Sequence, residues 1–185
     1  MGYQTTLDGA FSVTPAVTKT FMDFINRFAE TRRMMRDPKI VQDMDADWAQ
    51  HCFNGHLGEQ AGYYVPPRTL KASWLKADAR PANRQADIPN PYGDVRDKSV
   101  ISGNRPPAGQ PNSWCQWCMP THTTLAWDGA EKFYDYAEWL GYLITHFFRP
   151  SGYVVNGDVC WQGEDHKDRG ILSVTNNAVD VQYGK

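Results

Sequence analysis

The distribution of proline is the feature that most constrains how this chain can fold. Nine of its 12 prolines lie between residues 37 and 112, where no apolar repeat lasts beyond a few residues. Proline fixes φ and removes a backbone donor, so it disfavours long helices and central strands. The sequence therefore predicts an irregular lobe over 38–112, with one or two short helices, and places the regular elements toward the two ends of the chain.

The first end of the chain predicts a strand and then a helix. Residues 3–13 are rich in Thr and aromatic residues and contain a Gly, a pattern typical of a strand with a bend or of a tight hairpin. Phe21, Ile25 and Phe28 then follow the spacing of one apolar helix stripe. With Thr18 as N-cap, we expect a helix that reaches to about Met35.

The second end begins with two short strands and a helix. The segments WCQWC and TTLAW predict strands around a turn at residues 119–121. Asp128 and Glu131 form an Asp/Glu version of the capping box, and Pro150 and Gly152 mark the end of the helix that should follow.

The last thirty residues predict an antiparallel meander. Asn156-Gly157 indicates either a tight turn or a bend within one longer strand, and EDHKDRG over 164–170 reads as a turn. Asn176-Asn177 tolerates the left-handed conformation that another hairpin needs.

These elements predict an α+β fold, a mostly antiparallel sheet with two main helices on one face and an irregular Pro-rich insertion. We expect a single domain over 1–185, with its core in 2–37 and 113–184 and the irregular lobe in 38–112.

Charge and hydropathy narrow the classes of partner. A net charge of −2 and a pI near 6.2 make general nucleic-acid binding an unfavoured interpretation. No apolar run approaches the roughly 20 residues that span a bilayer, so we expect no membrane partner. The N-terminus lacks a secretory pattern, and four Cys in that setting indicate a reducing compartment. The sequence therefore predicts a cytoplasmic protein.

Several long strings resemble a family of phage and bacterial proteins, found especially in actinobacteria, that has no established activity. They are GYQTTLDGAF and FINRFAETRRMMRD near the front, and NRPPAGQPNSWCQW, WDGAEKFYDYAEWLGYLI and GYVVNGDVCWQGED toward the back. The resemblance covers roughly 2–37 and 103–183. It implies a compact intracellular protein often carried by phages, with an accessory role acting on host machinery or host signals.

One group of polar residues could support chemistry. Glu164, Asp165, His166 and Asp168 crowd five positions, and such residues could hold Mg²⁺ or Mn²⁺ or supply an acid–base pair. The same composition is typical of a solvated turn between strands, and we favour that interpretation. Glu164 is the member to test, because it lies closest to the strand that contains Trp161.

The cysteines offer a weaker case for a metal. Cys115 and Cys118 form a CxxC pattern, which zinc could use with Cys52, Cys160 or nearby histidines. If the pair lies in a strand, the two thiols point to opposite faces of the sheet. We therefore expect buried free thiols and predict no metal and no cofactor.

The preferred binding residues combine arginines with aromatic rings. Exposed Trp beside Arg is what stacks on a base, and clustered arginines bind phosphates or acidic surfaces. Alternation along a strand would place Trp114 and Trp117 on opposite faces. The candidate set is Arg32, Arg33, Arg105, Trp114, Trp117, Trp161 and Glu164.

The sequence interpretation is a non-enzymatic, phage-type binding protein, such as a counter-defence or host-takeover factor. Its partner would be a host protein or a nucleotide-like small ligand, and a homo-oligomer is left open. One alternative is a metal-dependent hydrolase using the 164–168 cluster, with His122 or His146. Another is a structural or scaffold phage protein.

Overall fold

The chain folds into two compact units in a computed structural model that describes residues 3–77, 96–130 and 132–184. Met1–Ala29 and Trp114–Lys185 form the first, here called the sheet unit, and Glu30–Ser113 form the second, the inserted unit. The predicted division at 37/38 and 112/113 lies near these boundaries. The prediction of one domain over the whole chain stays a prediction, as do residues 78–95 of the irregular lobe, which lie outside the described residues.

The sheet unit contains seven strands and two helices. They are β1 (Thr5–Gly9), β2 (Phe11–Thr14), α1 (Lys19–Ala29), β5 (Trp117–Thr121), β6 (Thr124–Trp127), α3 (Tyr136–Leu143), β7 (Val154–Gly163), β8 (Arg169–Thr175) and β9 (Ala178–Tyr183). A π-helical turn, Ile144–Phe148, and a 3₁₀ turn, Arg149–Ser151, continue α3. The order across the sheet is β5-β6-β2-β7-β8-β9, and β1 also pairs with β7.

The centre of the sheet is one long, bent pair of strands. β1 pairs with the second half of β7 (Thr5↔Gly163), and β2 pairs with its first half (Thr14↔Val154) in one continuous antiparallel register. Gly157 has φ 129° at the bend, a value that favours glycine. Asn156-Gly157 is therefore a bend within β7, the second of the two predicted alternatives.

The side chains of β1, β7 and β8 alternate between a buried and an open face. Leu7, Val159, Leu172 and Val174 are all buried. Their neighbours along each strand face the other way. This two-faced pattern is what an antiparallel sheet covered on one side requires.

The helices cover the buried face with aromatic side chains. Tyr136 of α3 packs against Trp161 of β7 at 6.2 Å between ring centroids, and Phe21 of α1 meets Phe148 in an edge-to-face contact at 5.1 Å. The predicted α+β class, with a mostly antiparallel sheet, is confirmed.

Two local predictions in the final meander are also confirmed. Asn176 and Asn177 have φ values of 49° and 67° and form the two-residue turn between β8 and β9. The stretch after Gly163 is the turn between β7 and β8, closed by the Gly163 amide donating to the Asp168 carbonyl at 2.7 Å. Both turns depend on contacts within a few residues, which is why the sequence revealed them.

The predicted end of the first helix is wrong. α1 ends at Ala29 instead of near Met35. The amide of Arg33 donates to the Ser113 carbonyl at 2.8 Å, and that of Met35 donates to Arg105 at 3.0 Å. These distant partners replace the helical hydrogen bonds, so the chain becomes extended.

The predicted turn at 119–121 is also wrong. β5 starts at Trp117 and runs through Pro120 to Thr121, so the turn falls at residues 122–123. Pro120 is accommodated because the ladder between β5 and β6 is irregular between Cys118 and Thr121.

The helix predicted from Asp128 starts eight residues later, at Tyr136. The Asp128 carboxylate accepts from the Ala130 amide at 2.8 Å and so closes a local turn. Asp135 then has φ 56°, outside the helical region. Glu131, the other half of the predicted capping box, lies outside the described residues. The predicted end of the helix is confirmed, since Gly152 terminates the last turn with φ 79°.

The inserted unit has only short elements among its described residues. They are β3 (Met35–Arg36), α2 (Pro38–Met44), β4 (Val100–Ser102) and three 3₁₀ turns at Trp48–His51, Glu59–Ala61 and Ala72–Trp74. Asp37 caps α2 by accepting from the amides of Lys39 and Ile40. Over the residues the structure describes, no helix has the length and apolarity needed to cross a membrane.

Candidate functional site

The open face of the sheet unit contains a groove across β1, β7 and β8. Its volume is about 440 Å³, within the range of small-molecule sites. Alternate residues of the three strands line it, because side chains two apart share a face. The alternating residues are Thr6, Asp8, Cys160, Gln162, Arg169 and Ile171. Trp161, Gly170 and Gly184 also border the groove, but by the same alternation the side-chain positions of Trp161 and Gly170 belong to the covered face.

The strand register arranges these side chains in two rows. Asp8 pairs with Cys160, which pairs with Ile171, so one row runs from a carboxylate to an apolar side chain. In the neighbouring row, Gln162 pairs with Thr6 on one side and with Arg169 on the other. One row thus places Cys160 and the apolar Ile171 beside Asp8, and the other row is polar throughout.

Arg169 and Asp8 lie at diagonally opposite corners of the groove. They are two strands apart, about 10 Å, and one row apart, about 7 Å. Neither side chain forms an ion pair within the described ranges, and both residues are exposed. An exposed guanidinium without a carboxylate partner is available to bind an anion.

Local hydrogen bonds fix the end of the groove. The Gln162 amide donates to the carbonyls of Gly163 at 3.1 Å and Asp165 at 2.9 Å. Trp161 is only 4% exposed, and its buried indole N–H has no acceptor among the described residues. The ring lies on the covered face of the sheet, in one row with Leu7 and Gly170, and packs against Tyr136 of α3 at 6.2 Å between ring centroids, so the indole does not face the groove.

Gly170 allows the Trp161 ring to lie where it does. The two residues are directly paired between β7 and β8, and a side chain on Gly170 would approach the indole carbons to 2.7 Å. Contacts this short do not occur in real structures, so the ring occupies space that only a glycine leaves open. Tyr183 then packs edge-on against the indole at 5.6 Å.

The acidic turn after Gly163 connects β7 to β8 and forms hydrogen bonds with the N-terminal segment. Glu164 accepts from the Gln4 amide at 3.0 Å, and Asp165 accepts from the Lys167 amide at 2.9 Å. Asp168 accepts a hydrogen bond from the Tyr3 hydroxyl, which holds the pKa of that phenol above its usual value. Across the described residues, no three His, Cys, Asp or Glu side chains are grouped so as to hold a metal ion.

The thiols are dispersed. Cys115 is buried just before β5, Cys118 is half-buried within it, and Cys160 is exposed in the groove. Burial raises the pKa of the Cys52 thiol to about 11, so this thiol stays protonated at neutral pH. None of the four forms a disulfide.

The predicted tryptophans lie mostly in the interior of the sheet unit. Trp117 is fully buried, and its indole donates to the Tyr136 carbonyl at 2.8 Å. Trp114 is half-buried and precedes β5, so strand alternation does not apply to it. Trp161 lies near the end of β7 with its ring on the covered face, and Glu164 lies in the exposed turn that follows.

The predicted arginines all belong to the inserted unit. Arg33 is 2% exposed and donates to the carbonyls of Gly62 at 2.7 Å and Tyr64 at 3.0 Å. Arg32 is half-buried near Asn104, with 3.4 Å between its Nη2 and the amide oxygen. Arg105 has an exposed side chain.

Sequence reasoning missed Asp8, Cys160, Arg169 and Ile171. The alternation within DVCWQG and RGILSV indicated which residues share a face, but only the register across three strands brings them together. No protein-family model, curated protein or solved structure matches this chain.

Proposed function

We propose that this protein is a non-enzymatic binding protein whose groove captures a small, nucleotide-like anion. The observation that carries the proposal is the pairing of an uncompensated Arg169 with an apolar floor in a groove of about 440 Å³. A nucleotide has the matching parts, a phosphate and a flat, largely apolar base.

Each part of the ligand has a partner in the groove. Arg169 would bind the phosphate through two parallel N–H donors. Ile171 and Cys160 form the surface on which a base would lie. Asp8 accepts hydrogen bonds and would receive them from a ribose hydroxyl or an exocyclic amine.

The acidic turn supports binding over hydrolysis. Glu164, Asp165 and Asp168 accept hydrogen bonds from Gln4, the Lys167 amide and Tyr3. These bonds tie the N-terminal segment and the turn to the end of the groove. In this proposal the carboxylates shape the site and carry out no chemistry on the ligand.

The resemblance to phage and actinobacterial proteins supplies the biological context of the proposal. A phage protein that sequesters a nucleotide would lower the free concentration of a host signal. A counter-defence role follows from binding alone and needs no catalytic step.

Isothermal titration calorimetry with a nucleotide panel tests the proposal. The panel contains nucleoside monophosphates and diphosphates and cyclic dinucleotides, with free nucleosides and inorganic phosphate as partial ligands. We expect binding of at least one nucleotide, weakened about tenfold or more by Arg169→Ala, which removes a charge-assisted hydrogen bond.

Lys167→Ala is the matched control, because Lys167 is an exposed cation in the adjacent turn that does not line the groove. It should leave the affinity within about twofold of the wild type, since exposed charges outside a contact interact weakly. Equal losses in both variants, or no binding across the panel, would contradict the proposal.

A further inference from the structure

β9 is an edge strand without the usual protection. It pairs with β8 on one side, and no described residue forms a ladder with its other side. Natural edge strands carry Lys, Pro or a bulge that blocks pairing with another chain. The sequence AVDVQY has neither Lys nor Pro, and its register with β8 is regular over all six residues.

The hydrogen-bond pattern shows which residues face outward. The amide of Gly184 donates to the Arg169 carbonyl at 2.6 Å, so even-numbered residues of this strand direct their backbone groups toward β8. Backbone groups alternate along an antiparallel strand. Val179, Val181 and Tyr183 therefore direct N–H and C=O away from the sheet.

We propose that two copies of this chain pair through β9, antiparallel, about a two-fold axis at Val181. Isologous contacts of this kind are the commonest way that soluble proteins form dimers. The pairing would join the β1-β7-β8-β9 sheets of both copies into one continuous sheet. It goes beyond the proposed function, because it does not depend on what the groove binds.

The register follows from matching the outward groups of the two copies. Val181 lies opposite Val181 of the second copy, and Val179 lies opposite Tyr183 of the second copy. The latter is a β-branched and aromatic pair, which stabilises antiparallel sheets. Tyr183 is 74% exposed in the single chain, so the pairing would cover the most exposed large apolar side chain described.

This register also avoids contacts between like charges. Asp180 lies opposite Gln182 of the second copy, and no two acidic residues face each other. Within one chain the Gln182 amide already donates to the Asp180 carboxylate at 3.1 Å, which shows that the two side chains suit each other chemically.

Val181→Pro tests the outward hydrogen bonds. Proline removes the amide that pairs with the second copy, whereas the β8–β9 hydrogen bonds, which come from the even-numbered residues of β9, remain. In sedimentation velocity over a concentration series, we expect the wild type to dimerise and V181P to stay monomeric. Val181→Thr keeps the amide and should still dimerise, and a circular-dichroism spectrum like that of the wild type, with a cooperative melting transition, shows that V181P is folded.

A charge series at Gln182 tests the register itself. Q182D places two acidic pairs across the axis and should weaken the dimer between roughly twofold and thirtyfold. Q182K should strengthen it, and the double variant D180K/Q182D should restore it. A monomeric wild type at all concentrations, a dimeric V181P, or a series that does not follow this order would overturn the proposal.

Discussion

The two units of this protein are stabilised in different ways. The sheet unit buries apolar side chains in a regular alternation, from Leu7 on β1 to Val174 on β8. The inserted unit has strands of only two and three residues, and beside an apolar cluster around Val41 and Tyr64 it also buries charged groups. A segment rich in proline cannot satisfy its backbone groups through ladders alone, and its side chains must do so.

Arg36 and Asp97 show how the inserted unit does this. They form a buried ion pair, and Ser99 donates to the same carboxylate group at 2.8 Å while accepting from Arg36 at 2.8 Å. Buried charge in this unit is therefore a structural feature. In the sheet unit, by contrast, the two charged residues of the groove, Asp8 and Arg169, are exposed.

The largest expected effect is in the inserted unit. Asp97→Ala leaves the Arg36 guanidinium buried without its partner, and we expect a loss of about 3–5 kcal/mol in the free energy of unfolding. Asp23→Ala, in the exposed Lys19–Asp23 pair of the sheet unit, should cost about 1 kcal/mol or less. Guanidinium denaturation measures the free energy of unfolding of both variants. Equal losses would contradict the claim that buried charge stabilises the inserted unit more than exposed charge stabilises the sheet unit.

The next effect concerns the packing of the sheet unit. Gly170→Ala should lower the free energy of unfolding by about 1–3 kcal/mol, because the added Cβ meets the Gln182 carbonyl oxygen and the Trp161 ring. Gly141→Ala in α3 is the matched control, since a Cβ there has no atom within 4 Å. It should stabilise the protein by roughly 0.5–1 kcal/mol, and a destabilising G141A would show that the packing argument fails.

The smallest expected effect is the pH dependence of the free energy of unfolding, which should differ between the two units. In the sheet unit, burial lowers the pKa of His146 below its ordinary 6.5. The folded state therefore favours the neutral imidazole, and the stabilisation present at neutral pH is lost as pH falls below about 6.5.

In the inserted unit, burial raises the pKa of Asp45, but hydrogen bonds from His51 and Tyr64 outweigh it and leave the pKa below 3.8. Its contribution is present above about 3.8 and lost as pH falls further. The free energy of unfolding should be measured from pH 3 to pH 8. His146→Gln should reduce its pH dependence below about 6.5, and Asp45→Asn should reduce its pH dependence near and below about 3.8. If His146→Gln changed only the low-pH region, or Asp45→Asn only the region near pH 6.5, the stated directions of the pKa shifts would be contradicted.

The sequence predicted the features that depend on neighbouring residues. The Asn176-Asn177 hairpin, the turn after Gly163 and the end of the last helix at Gly152 all arise from local backbone preferences. These turn signals predicted the antiparallel meander for the same reason.

The features that it did not predict depend on distant partners. Arg36 and Asp97 lie 61 residues apart, and α1 stops at Ala29 because residues 105 and 113 supply the next hydrogen bonds. The groove needs the register of three strands, in which Asp8 and Arg169 come from opposite ends of the chain. Periodicity identifies a face of a strand but not its neighbours.

Chemical-shift mapping on ¹⁵N-labelled protein tests the central claim most directly. The nucleotide that binds tightest in calorimetry is titrated into the wild type and into Arg169→Ala. We predict that the amide shifts concentrate at Thr6–Asp8, Cys160–Gln162 and Arg169–Ile171 and that the variant largely loses them. Shifts concentrated in the inserted unit, or shifts that persist in the variant, would contradict a binding site on the open face of the sheet.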